Sequence, residues 1–396
     1  MIAYSFFTIL AALTAVYLLF LFRMRSGLHR LEEEQAAFAG HSAADGTDTD
    51  SPSVSVLIPA RNEEKHIEAS LASLRAQDYT DGRLEVLIVD DHSEDGTADL
   101  VRREIETDSR FRLLSLPAAS NGKKSAITSG VENASGEIIV TTDADCLHDT
   151  GWLRAMTAPF RADAEGKAAD VVAGPVVYER RDSMFARLQA LEFLGLVGVG
   201  AGFFGIGYPR LCNGANFAYR KTMFEAVGGY DGNADVHSGD DEFLLHRIVY
   251  FEGGRAEFAT GSAAVVRTEG AHSIGAFLRQ RIRWSSKTGS YEDTRFVSFL
   301  VLLFFYLLFA AAAPAVGVTS QAALAAAVLF FGLKVVGDSA VLFPAARLFQ
   351  QPIRLVDLLA AEVLHPYYIV VVTILGLFGK FRWKNRKLNN RRPHRR

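Results

Sequence analysis

Val54–Glu64 reads VSVLIPARNEE, and Leu84–Thr97 reads LEVLIVDDHSEDGT. Each opens on a short β-branched apolar run, Val54–Pro59 and Leu84–Val89, and Glu63–Gln77 between them is amphipathic at helical spacing. That is a βαβ unit. The alternation continues through helical Thr97–Thr107, strand Phe111–Leu116, helical Lys123–Asn133 and strand Glu137–Thr142. It predicts an α/β fold, a mostly parallel sheet with helices on both faces. Ligands of such sheets bind beyond the carboxyl ends of the strands.

The informative residues fall there. Strand LEVLIV runs straight into Asp90-Asp91-His92-Ser93-Glu94-Asp95. Asp95 or Ser93 can cap the next helix, which leaves Asp90 and Asp91 unexplained by capping. A carboxylate at that point accepts hydrogen bonds from a nucleobase imide or ribose hydroxyls, which suits a nucleotide pocket. The following strand ends in Asp143-Ala144-Asp145. Alternate residues of an extended segment point the same way, so Asp143 and Asp145 can share one ion. With diphosphate oxygens and waters they make a site for Mg²⁺ or Mn²⁺.

The rest of the chain is apolar in blocks. Of 396 residues 49% are apolar, too many for an ordinary soluble enzyme. Met1–Phe22 carries no charge and is long enough to cross a bilayer, with Arg23, Arg25 and Arg30 marking its cytosolic end. A second apolar region fills most of Phe296–Phe381 and holds two or three more spans. Lys334 and Asp338 stand there at helical spacing and read as a structural ion pair, while Glu362 and His365-Pro366 break the last segment. Gly40–Ser53 reads as a flexible linker. The net charge of −3 conceals nine Lys and Arg in Lys380–Arg396, a tail that suits anionic lipid at a cytosolic face rather than nucleic acid. Three full crossings after a cytosolic domain would leave that tail outside, so the broken last segment is expected to re-enter or lie in the interface. The two cysteines, Cys146 and Cys212, are far apart and outside any CxxC, which indicates neither a disulfide framework nor a zinc site.

Taken in order, IPARNEE, VDDHSEDGT, NGKKSAI, TTDAD, GDDEFLLHR and QRIRW resemble a family 2 glycosyltransferase of the GT-A, Rossmann-like fold. The branch resembled is the membrane-bound one, with cellulose, chitin and hyaluronan synthases and ceramide glucosyltransferases. The resemblance spans Val54 to about Gly289. It implies that Pro59, Arg61, Glu63, Asp91 and Lys123 line the nucleotide pocket, that Asp143 contacts ribose or metal, and that Asp145 meets metal and diphosphate. Asp241, in Ser238-Gly239-Asp240-Asp241, falls on the general-base position, with Asp240 where relatives more usually have Glu. An inverting transfer needs such a carboxylate to take the acceptor hydroxyl's proton. Gln280, Arg283 and Trp284 share one helical face and suit diphosphate and acceptor sugar; Arg281 reads as a membrane-surface snorkel. Leu211–Asn216 keeps only Cys212 and Gly214 of the relatives' acceptor loop.

Three readings stay apart from this. Gly200-Ala201-Gly202-Phe203-Phe204-Gly205 spells GxGxxG without a preceding strand, inside an expected interfacial helix and loop, Met184–Tyr208. His237 and His246 read as structural or solvated, and Trp152 as packing. The expected organisation is a transmembrane helix (1–22), a juxtamembrane helix and linker (23–53), a cytosolic GT-A domain with interfacial helices (54–289), a C-terminal membrane region (290–381) and a basic cytosolic tail (382–396). The expected activity is hexosyl transfer from a nucleotide sugar, with uridine diphosphate the carrier the resemblance implies, onto a lipid or glycan acceptor at the inner membrane. A processive polysaccharide synthase and a non-catalytic scaffold are the alternatives.

Overall fold

The computed structural model describes residues 1–42, 51–79, 84–162, 166–179, 181–231, 239–286, 291, 293–378, 381–383 and 386–388. After helix α1 (Ile2–Ser42) the predicted alternation is realised: β1 (Val54–Ala60), α2 (Ile67–Arg75), β2 (Leu84–Asp90), α3 (Thr97–Ile105), β3 (Phe111–Ser115), α4 (Lys123–Asn133) and β4 (Ile138–Thr141). These strands pair in parallel, in the order β3-β2-β1-β4. Val56, Leu57, Ile58 and Val86–Val89 are fully buried, as continuous apolar runs are when both faces of a sheet are covered.

The chain leaves β1 toward β3 on one side and returns to the other side with β4, so a crevice opens between the carboxyl ends of β1 and β4. Leu57 lies opposite Thr141 in register, which brings the segments after them, Pro59–Arg61 and Asp143–Asp145, to the same level.

The second half is less regular. It comprises α5 (Trp152–Thr157), β5 (Val171–Ala173), β6 (Val176–Tyr178), α6 (Met184–Gly205), β7 (Phe217–Arg220), α7 (Lys221–Ala226), α8 (Asp240–His246), β8 (Ala256–Phe258), β9 (Val266–Thr268) and α9 (Ile274–Ser285). β7 joins the sheet antiparallel to β4, β5 and β8 complete seven strands, and β6 pairs with β9. Three long helices follow: α10 (Thr294–Gly317), α11 (Gln321–Leu348) and α12 (Leu355–Phe378). With α1 and α6 they make five helices among the described residues that are long and apolar enough to cross a membrane.

One expectation about helix ends, a break in the last apolar segment, is corrected. The apolar stretch and the expected juxtamembrane helix form one helix, α1, to Ser42. Its Gly27 does not break it, because that glycine is used in packing: a Cβ there would come within 2.1 Å of the Gly202 carbonyl oxygen in α6. Most of the expected linker, residues 43–50, lies outside the described residues. α12 is likewise unbroken across Glu362 and His365-Pro366. Glu362 does not interrupt it because Lys334, 2% exposed, bonds both Glu362 and Asp338, the latter at 2.7 Å. The Lys334 and Asp338 pair is therefore one part of a larger buried cluster, to which Tyr17 adds a hydrogen bond on Asp338. Of the basic tail, residues 384–385 and 389–396 lie outside the described residues.

α6 is more deeply embedded than an interfacial helix. Its glycines, the false GxGxxG among them, let backbones approach: Gly202 and Gly205 meet Met24 and Gly27 of α1, and Gly198 meets Val341 and Ala345 of α11. One hydrophobic core consequently runs from Leu57 and Ile139 in the sheet through Phe203 and Phe204 to Leu21 of α1 and Val341 of α11.

Candidate active site

A cavity of 510 Å³ opens at the crevice, and every residue named above for nucleotide, metal, base and QRIRW functions lines it. Its first wall is the strand ends. Arg61 is buried and donates to the Asp91 carbonyl oxygen (2.6 Å), bracing the turn after β2 against the turn after β1. Asp91 accepts from the Gly122 N–H (3.0 Å), which ties it to the start of α4. Asp90 has a local role after all: its carboxylate accepts the Ser93 N–H at 3.3 Å, a turn contact within the loop. Asp95 accepts from the Thr97 N–H (3.0 Å) in an Asx-type turn, one residue before the N-cap Gly96 of α3, which has no side-chain cap.

Lys123 joins this wall to the next. Its Nζ lies 2.6 Å from Asp143 Oδ1 and 3.7 Å from Asp240 Oδ2. Burial works against its charge, and Asp143 and Asp240 more than offset that, raising its pKa. Asp145 has no such cation. Burial, then the charges of Asp143 and Glu63, push its carboxyl up to about 6. Two hard oxygen donors in a field of excess negative charge fit a divalent cation such as Mg²⁺ or Mn²⁺. Among the described residues no third His, Cys, Asp or Glu completes a cluster with them, so substrate oxygens and water would fill the remaining positions.

The acidic pair sits at the start of α8. Gly239 takes φ +79, a left-handed conformation that glycine adopts without strain, and turns the chain into the helix. Ser238 and His237 lie outside the described residues. Asp241 accepts from the Gly214 N–H (2.7 Å) and the Glu242 N–H (2.8 Å), which hold its carboxylate in one orientation. A Cβ on Gly214 would lie 3.2 Å from Asp240 Oδ2 and 3.3 Å from Lys123 Nζ. The partly matching loop around Cys212 and Gly214 is thus the floor beneath the pair. His246 bonds the Arg210 carbonyl oxygen, a structural role. Trp152 is buried and donates to Asn216 (2.9 Å), again packing.

α9 supplies the opposite wall. Ser273 caps it through the Ala276 N–H, and Gln280, Arg283 and Trp284 all reach the cavity. Among the described residues the Arg283 side chain has no hydrogen-bond or ion-pair partner, and burial lowers its pKa. An unpaired guanidinium facing the acidic cluster across a cavity is a receptor for phosphate oxygens. Arg281 corrects the sequence reading. It is 4% exposed, its guanidinium bonds both carboxylate oxygens of Glu192, and it lies 4.2 Å over the Trp284 ring. Sequence reasoning missed Glu192, yet a signal existed: it is the single acid in the apolar run Met184–Gly205.

The lining also includes aliphatic side chains, Leu196 and Val197 from α6 and Ile369 and Val372 from α12, beside Tyr368 and Thr373 of α12. α12 reaches this place by packing along α9, where Phe277 meets Tyr368 and the Ser285 hydroxyl donates to the Val372 carbonyl oxygen.

Residues 55–228 match the family model "Glycosyl transferase family 2". The probable glycosyltransferase YdaM of Bacillus subtilis (strain 168) is 30% identical over 240 residues, 59% of this chain and 54% of that protein. A poly-beta-1,6-N-acetyl-D-glucosamine synthase of Staphylococcus epidermidis is 23% identical over 262 residues, 63% of this chain and 60% of that one. The chain thus spans a little over half the length of the curated relatives it matches. Among solved structures, the mannosyltransferase PcManGT from Pyrobaculum calidifontis, in complex with GDP-Man and Mn²⁺, aligns with a TM-score of 0.54 and 21% identity, covering 94% of this chain and 99% of that one. That likeness is one of fold, the GT-A arrangement of sheet and flanking apolar helices. The residues that match the family 2 glycosyl transferase model, 55–228, include the strand ends that carry Pro59, Asp91, Asp143 and Asp145.

Proposed function

We propose that this chain is an inverting, divalent-metal-dependent glycosyltransferase that moves a sugar from a nucleotide sugar, UDP-linked by family resemblance, to a lipid acceptor presented at the membrane. The observation that carries the proposal is the single cavity whose lining includes Asp91, Asp143, Asp145 and Asp241 together with aliphatic side chains of α6 and α12. A donor diphosphate suits the first group. An acceptor with an apolar chain suits the second, since hydroxyl-rich glycan gains little from Leu196, Val197, Ile369 and Val372. PcManGT, holding GDP-Man and Mn²⁺ in the same fold, supports a nucleotide-sugar donor and a metal.

Pro59, Arg61, Glu63 and Asp91 would hold the nucleoside, with Lys123 and Arg283 beside the diphosphate. Asp143 and Asp145 would hold Mg²⁺ or Mn²⁺, which supplies charge neutralisation for the departing nucleoside diphosphate. Asp241 takes the acceptor hydroxyl's proton as that oxygen bonds the anomeric carbon and the carbon–oxygen bond to the diphosphate breaks. Attack opposite the leaving group inverts the anomeric centre. α1, α10 and α11 would anchor the chain, with residues 54–289 on the cytosolic face of the inner membrane and α12 against the domain.

A processive synthase is the second reading, favoured by the Staphylococcus epidermidis relative. One experiment decides among the readings: purified full-length protein receives a panel of labelled nucleotide sugars with Mn²⁺ and a bacterial lipid extract. Label extracting into organic solvent is the expected result. Label excluded by size as polymer supports the synthase, and no transfer or hydrolysis of any donor leaves a non-catalytic scaffold.

A further inference from the structure

We infer that Arg281 and Glu192 are positioning residues: a buried ion pair between α9 and α6 that sets which face of the Gln280 amide and which plane of the Trp284 ring meet the substrate. The inference rests on the cleft being a transferase site.

Glu192 and Arg281 have side chains 9% and 4% exposed, and the guanidinium fork spans the carboxylate, with Nε 3.0 Å from Oε1. The pairing leaves Nη1 to donate to Gln280 Oε1 at 2.7 Å. The Tyr178 hydroxyl lies 3.3 Å from the same oxygen. Because Arg281 has only donors, the Gln280 atom facing it must be the carbonyl oxygen, and the amide cannot flip without setting N–H against N–H. The Gln280 NH₂ has no partner among the described residues and is left as the group offered to the cavity. Gln280 is thereby a committed donor, suited to a sugar hydroxyl or a diphosphate oxygen.

The same guanidinium fixes the indole. It lies 4.2 Å from the Trp284 ring centroid and 4.7 Å from that of Phe277, while Phe193 of α6 flanks Trp284 at 5.9 Å. Glu192 is itself held, accepting from the Tyr368 hydroxyl of α12 at 2.6 Å. A helix from each side therefore clamps the pair. The geometry of the QRIRW segment is set by α6 and α12, two helices apolar enough to lie in a membrane.

A simple structural tie between α6 and α9 predicts something different, and a double-mutant cycle separates the two. Arg281→Lys keeps the charge and loses the fork and the stacking. It is measured in the native and Gln280→Ala backgrounds, with kcat, donor KM and Tm read on purified full-length protein and the nucleotide sugar that the wild type turns over. The expected result is a loss of kcat on the order of 10- to 100-fold in the native background, and a clearly smaller loss, the part carried by Trp284 alone, where Gln280 is absent. Donor KM should stay within about 3-fold, and the Tm shift should be the same in both backgrounds. Tyr178→Phe, which removes one hydroxyl and keeps the ring, serves if the lysine variant does not fold; its kcat loss should vanish beside Gln280→Ala. Equal losses in the two backgrounds, or no loss in either, overturn the inference alone. A wild type that turns over no donor overturns the transferase reading and this inference with it.

Discussion

The strand-end wall of the cleft draws Arg61, Asp91, Asp143 and Asp145 from turns that follow paired strands, where backbone register already brings them level. The helical wall has no such ladder. Its central contacts, Arg281 on Glu192 and Tyr368 on Glu192, join residues 89 and 176 positions apart through side chains alone. A ladder of backbone bonds tolerates changes of side chain, whereas a wall of packed side chains depends on each neighbour and on whatever surrounds its helices. The two walls should accordingly fail in different ways.

The sharpest separation is expected where they meet. Asp241→Asn removes the proposed base and leaves both walls standing, so kcat should fall about 1,000-fold while donor affinity measured calorimetrically is unchanged. On the strand-end wall, activity at limiting Mn²⁺ should fall as pH drops through about 6, because a proton on Asp145 would compete with the proposed cation; saturating Mn²⁺ should move that limb to lower pH. The sign for stability is opposite. With its folded pKa raised from 3.8 to about 6, the metal-free native state binds the extra proton between those values, so stability falls as pH rises through that window. A metal-free Tm that rises across it would contradict the assignment.

On the helical wall, Val372→Asp places a charge among the aliphatic side chains of the cavity. Acceptor KM should rise about 10-fold while donor hydrolysis in the absence of acceptor is unaltered. A matching loss of hydrolysis would show that the walls are not separable. The smallest effect on chemistry is expected from Gly202→Ala, whose Cβ would lie 2.7 Å from the Met24 carbonyl oxygen. Forcing α6 from α1 should cost about 1–3 kcal/mol by thermal unfolding, with kcat falling only as far as the helical wall shifts.

The same contrast explains what was legible beforehand. β1, β2 and β4 announce themselves because each holds a run of Val, Leu and Ile, and β2 and β4 lead into the carboxylates Asp90-Asp91 and Asp143-Ala144-Asp145. β5, β6, β8 and β9 have three residues each, VVA, VVY, AEF and VRT, too few to show a period. Helical spacing put Gln280, Arg283 and Trp284 on one face, and the resemblance of QRIRW to the family motif implied their role. Arg281 was not, because an arginine beside an apolar segment has a ready place at a membrane surface, and its true partner lies in a helix that nothing local connects to it. The purpose of Gly27 in α1 was equally hidden, because only the closeness of α6 reveals it.

α6 also carries a consequence for how the molecule is made. One flank of this helix is covered by α1, which precedes it in synthesis, but Gly198 waits for Val341 and Ala345, and Glu192 for Tyr368, all translated long afterwards. Until the last helix emerges, the nascent domain holds a greasy helix with one side bare and one acid half-satisfied. Release of a chain cut after α9 should therefore give a species that binds chaperones or aggregates, although every strand of its seven-stranded sheet is already present.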